Sequence, residues 1–136
     1  MTIALVLRAL HVCANLIWIG SISAVGLILR DVPAAARDRG RMALSVYRAL
    51  AMPAFVVSFV AGSGMLLLEP RYYFVQTHWM HAKLLLAVGV IALHHWLGAR
   101  AKQTAAGTAK PVGILPIAWL VAGAMGSAAL ALLKPF

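Results

Sequence analysis

Apolar residues run along this chain in long unbroken blocks, and the polar residues gather in the gaps between them. Four blocks reach the ~20 mostly apolar residues that a helix needs to cross a bilayer. They cover residues 2–29, 43–68, 79–98 and 113–133. Period-two alternation is absent, and hydrocarbon tolerates only helices or closed barrels because every backbone N–H and C=O must be satisfied within the protein. The pattern predicts an all-α, integral membrane four-helix bundle, a single domain over residues 1–136. The gaps are a basic loop from Arg30 to Arg41, a turn at Glu69-Pro70-Arg71 leading into Thr77-His78-Trp79, and a linker at 100–112. That linker is small, polar and basic, as a solvated loop should be.

Composition supports the same reading. Hydrophobic residues make up 63% of the 136 and charged residues 11%, against about a quarter charged in soluble domains. The net charge of +9 comes from 12 Lys and Arg against Asp31, Asp38 and Glu69. In a soluble chain that excess would suggest nucleic acid. Here most basic residues flank apolar blocks, and no basic stripe interleaves with aromatics, so membrane lipid is the expected partner and nucleic acid is not. Arg30, Arg37, Arg39, Arg41, Arg100, Lys102 and Lys110 fall in loops one and three, while Arg71 and Lys134 fall on the other side. The positive-inside rule then places loops one and three in the cytoplasm and both termini outside. The first block is longer than the ~7–15-residue apolar core of a signal peptide and has no basic residue before it, so it reads as a mature helix. Cys13 stands alone, which excludes an intrachain disulfide and a thiolate cluster and leaves a small packing residue.

Within the blocks, Ala118, Ala122 and Gly126, with Gly123, Ser127 and Ala131 beside them, form a small-residue stripe on helix four. Packing inside the bundle is preferred for it over a dimer interface. Gly62 and Gly64 in helix two read the same way, and Pro53 is expected to kink that helix.

Ionisable residues inside a membrane are costly and mark functional sites by default. Arg8, His11, Asn15 and Trp18 share one stripe of helix one, expected to face the bundle interior. For Arg8, snorkelling to the surface is the alternative. Helices one and three start from the same side, so His11 and Lys83 sit at similar depth. His94 and His95 come near the far end of helix three. Lys83 and His94 share a face but lie ~16 Å apart along the axis, too far to bind one metal. An interfacial histidine is the preferred reading of His94, ahead of a second cofactor or a proton path. His78 is expected in the solvated loop.

Zinc at His11 would need several more ligands, and the nearby candidates are His81, Met80 and Glu69. Haem needs one or two axial groups, apolar walls and a cation for its propionates. An inward histidine in a helical bundle suits it better, with Arg8 or Arg71 able to meet a propionate. The methionines are scattered and read as packing rather than a copper site. No nucleotide loop, catalytic serine motif or paired carboxylates occur.

Several segments together are similar to the HemJ-type protoporphyrinogen IX oxidases, four-helix membrane proteins related to the CopD domain. These are Ala9-Leu10-His11-Val12 with Trp18 seven residues on, and Tyr47-Arg48-Ala49-Leu50-Ala51-Met52-Pro53-Ala54 followed by Gly64. The most specific is Trp79-Met80-His81-Ala82-Lys83-Leu84 followed by His94, and the ending Lys134-Pro135-Phe136 also matches. The resemblance implies a non-covalent haem b with His11 and Lys83 as axial iron ligands. It implies a pocket including Arg8, Trp18, Trp79 and His81. The implied reaction takes six electrons and six protons from the tetrapyrrole protoporphyrinogen IX, with a quinone or the respiratory chain as electron acceptor. A homo-oligomer in the bacterial plasma membrane is the implied setting. The chain departs from the family before helix four, where Lys110-Pro111-Val112-Gly113-Ile114-Leu115-Pro116 lacks the family's acidic residue. A non-catalytic b-type cytochrome or electron-transfer subunit, and a CopD-like copper-handling protein, are the alternative functions.

Overall fold

The computed structural model describes residues 2–30, 36–108 and 111–134. Asp31, Lys110 and the terminal Pro135-Phe136 lie outside the described residues. Helix α1 spans Ile3–Ile28. Its inward residues Ala14, Trp18, Ile22 and Val25 recur every three to four positions, the spacing of one helix face. A tight turn ends it, with Leu29 N–H bonded to the Val25 carbonyl and Arg30 N–H to the Leu27 carbonyl.

The second membrane helix starts at Arg37, six residues before its apolar block. Charge made Arg37–Met42 look like loop, but the stretch holds good helix formers and no proline. It forms α2, Arg37–Val46, which buries Gly40 and Ala43 and exposes its arginines. A π-helical turn follows at Tyr47–Ala51, and α3 continues over Met52–Leu68. Pro53 explains the turn. It has no N–H to give to the carbonyl four residues back, and the preceding turn widens so that Met52 N–H reaches the Tyr47 carbonyl. The irregularity expected at Pro53 is therefore absorbed one turn earlier. A second π-helical turn, Tyr72–Gln76, leads into α4.

Helix α4, Trp79–Ala105, runs seven residues beyond its apolar block. The stretch 100–105 is thus helix rather than solvated linker, because Ala101 and Thr104 are buried under α2. There Gly40 brings the α2 backbone against the Thr104–Ala105 backbone of α4. Helix α5 spans Ile114–Leu133. Gly123 faces Val90 and Gly126 faces Leu86, so these two glycines pack within the bundle, while Ala118 and Ala122 are exposed.

The described residues thus hold four helices long and apolar enough to span a membrane, Arg37–Leu68 counting as one. The result is an all-α membrane bundle. Large apolar side chains such as Leu16, Val60, Leu85, Trp119 and Leu132 point outward, which suits lipid and not water. The main core, with Ile22, Val25, Leu29, Ala43, Leu97 and Leu120, sits toward the end that carries loops one and three. Val112 N–H bonds to the Leu29 carbonyl at 3.1 Å, fixing both loops at that end. Helix α1 packs chiefly along α3, α4 along α5, and α2 against α4, while α3 meets α4 through Phe55. The buried core is concentrated at the loop end.

Candidate functional site

His11 lies on α1 in the half of the bundle away from loops one and three, half-buried against α3. Its Nδ1–H donates to the Ser58 carbonyl at 2.8 Å, with the Ser58 hydroxyl 3.2 Å away. Its Nε2 accepts from the Asn15 amide at 3.0 Å. Ser58 Oγ–H in turn donates to Asn15 Oδ1 at 2.9 Å. One assignment of protons satisfies every bond: a neutral ring, protonated on Nδ1, with the lone pair on Nε2.

Gly62 makes this arrangement possible. In a helix the carbonyl of residue 58 is flanked by residue 62 one turn on. A Cβ at Gly62 would fall 2.9 Å from both Cε1 and Nδ1 of His11. With no side chain there, the imidazole reaches the α3 backbone. Gly62→Ala is expected to push the ring off the Ser58 carbonyl, leaving a polar nitrogen unsatisfied at a cost of ~1–3 kcal/mol. Thermal unfolding in detergent reads that loss, and a Ser58→Ala variant, which keeps the carbonyl, is expected to lose less.

An Nδ1–H tied to a backbone carbonyl is the arrangement that orients histidines whose Nε2 binds a metal. Nε2 becomes available if the Asn15 amide rotates away, a change of side-chain rotamer. Lys83, half-buried on α4, lies within electrostatic range of the ring. His11, Asn15 and Ser58 thus form one hydrogen-bonded cluster between α1 and α3, with Lys83 on α4. One imidazole of fixed tautomer and one amine are donor types that could ligate a haem iron. Among the described residues no three His, Cys, Asp or Glu side chains gather as a metal cluster, so a cluster of His11 with His81 and Glu69 does not form.

The other expected residues take different places. Arg8 is exposed, two turns before Asn15 on the same stripe of α1. Trp79 is buried and meets Tyr73 edge-on at 6.4 Å. His81 is exposed beside Phe74 and His78. Trp18, 7% exposed, lies one turn beyond Asn15 and faces the loop half of the bundle.

There Trp18 Nε1–H donates to His94 Nδ1 at 3.1 Å. His94 is fully buried, so the interfacial reading is wrong. The reason is the length of α4: His94 falls near its middle, under the π-helical turn, rather than at its end. Tyr47 and Phe55 stack at 5.0 and 4.9 Å from its ring, and His95 meets it at 4.9 Å. The Trp18 bond leaves the proton on Nε2, which has no partner among the described residues. Ser58 and Phe55 are the residues that sequence reading passed over, and Gly62, read as a packing glycine, packs on the His11 ring. The signal available was a serine in an apolar block with glycine one turn on.

No family model matches this chain, and neither does any curated protein or solved structure.

Proposed function

We propose that the chain is a haem b-binding membrane oxidoreductase that oxidises protoporphyrinogen IX to protoporphyrin IX. The observation that carries the reading is the His11 ring, locked by the Ser58 carbonyl so that Nε2 carries the lone pair, which the Asn15 amide now caps. The sequence resemblance supplies the substrate. In this reading His11 Nε2 and Lys83 Nζ hold the iron. Arg8, exposed on α1, meets a propionate by a charge-assisted hydrogen bond. Trp79 and His81, at the start of α4, stand on the Lys83 side of the site, while Trp18 is engaged with His94 in the other half of the bundle. When bound, the haem supplies one-electron redox chemistry. The chain fixes the imidazole tautomer, presents the amine and excludes water from the bundle interior.

The reaction removes six electrons and six protons from the substrate, so a quinone or a respiratory chain must take up the electrons. The setting would be a bacterial plasma membrane with both termini outside, and a homo-oligomer. Membranes containing the protein should convert non-fluorescent protoporphyrinogen IX to fluorescent protoporphyrin IX faster than control membranes, and the gene should rescue a strain lacking this oxidase.

A second reading, a non-catalytic b-type cytochrome, is favoured by one observation. The segment before α5 lacks the acidic residue of the family it resembles. Haem retained by a protein that neither converts the substrate nor rescues the strain would select it.

A further inference from the structure

Arg48 stands inside the second membrane helix, one residue into the π-helical turn, and is exposed beside Ala49 and Leu50. Among the described residues no carboxylate pairs with it. A guanidinium facing lipid without a counter-charge is costly. Arg41 and Ser45 lie seven and three residues earlier on the same helical face. That places Arg41 and Arg48 ~10 Å apart along the axis, within joint reach of one anion for two long side chains. Together with Leu44 and Ala49 they line a shallow groove of ≈ 420 Å³. Arg41 has one weak claim on it, an exposed contact with Asp38 at 3.5 Å.

We propose that this groove binds the phosphodiester headgroup of an anionic membrane phospholipid. Arg48 and Arg41 clamp the phosphate, Ser45 hydrogen-bonds it, and an acyl chain lies along Leu44, Ala49 and Leu50. Three observations select a lipid over a free anion. The groove lies on the exposed side of a membrane helix, Leu44 and Ala49 give it an apolar part, and Arg48 enters the apolar span, where a dissolved phosphate would have to shed its water. The charge is complementary as well, since α2 also carries Arg37 and Arg39 and has Asp38 as its one acid. The site is separate from the His11 neighbourhood and does not depend on haem.

The test is native mass spectrometry of the detergent-solubilised full chain, titrated with phosphatidylglycerol and with phosphatidylcholine. The wild type is expected to hold phosphatidylglycerol in preference to phosphatidylcholine. Arg48→Gln is expected to weaken that binding at least about tenfold, as the loss of a charge-assisted bidentate contact should. Arg41→Gln should weaken it less, and Lys102→Gln, on exposed α4 surface, should leave it unchanged. Circular dichroism checks folding, and Arg48→Lys guards against a folding defect. It keeps the charge without the planar fork and is expected to weaken binding by a few-fold, roughly. The proposal is overturned if the Arg41→Gln, Arg48→Gln double variant binds phosphatidylglycerol as the wild type does. Displacement of the lipid by millimolar inorganic phosphate would overturn it too, marking a free-anion site. So would substitutions at Arg48 that change the number of chain copies in the particle and leave lipid binding intact.

Discussion

His11→Ala is expected to strip the protein of haem, lowering the haem content of purified protein at least about tenfold, while the helical content stays near that of the wild type. Weakening the groups that merely orient a metal-bound histidine already costs ~10–100-fold in metal affinity, and removing the ligand itself should cost no less. The fold should survive because the ring is half-buried and its partners are a carbonyl that keeps its helical bond and an amide with other bonds to make. Imidazole added to the variant should restore part of the Soret absorbance, since the deletion leaves a cavity shaped for that ring. This separates a ligand from a packing residue, because imidazole cannot repair a collapsed helix interface. Lys83→Ala is expected to shift the Soret band and change the spin state while retaining more haem, because the imidazole remains. Full haem in His11→Ala would remove the ligand assignment even if the oxidase activity stood.

The largest effect on folding is expected at Gly40. Here the α2 backbone lies directly on the backbone of α4, so a Cβ would meet main-chain atoms of Thr104 and Ala105. Main chain cannot rotate aside as a side chain can. Gly40→Val should force the two helices apart, at a cost above the ~1–3 kcal/mol usual for overpacking. The helices would part beside the loop-end core, so Ala43, Leu97 and Ala101, all fully buried, would lose contact together. Thermal unfolding in detergent should show a lower midpoint for Gly40→Val than for Gly89→Val. Gly89 has open space around its missing Cβ, which makes it the matched control.

These two sites show what could be read from sequence and what could not. Four apolar blocks were enough for the number of helices, because in lipid the hydrophobic length of a segment and its ability to span are the same property. Their true ends were not legible. Arg37–Met42 and Arg100–Ala105 are helical because two amphipathic extensions cover each other, a tertiary contact that hydropathy does not register. Gly40 was invisible for the same reason: within a presumed loop, a glycine carries no packing information. At the site, His11 and Lys83 stood out because a charge or imidazole in an apolar block is rare. Ser58 and Gly62 did not, since serine and glycine are ordinary packing residues in membrane helices. Their role appears only when α1 lies against α3 in the observed register. His94 failed for a geometric reason. It lies near the end of an apolar block but near the middle of α4, which runs on to Ala105.

The central claim is that this bundle holds haem at His11, and the pyridine haemochrome assay on detergent-purified protein tests it most directly. A Soret band together with about one haem b per chain is the result predicted for one His- and Lys-lined site. Folded, fully helical protein that shows no Soret band, even when produced with ample haem, would contradict it.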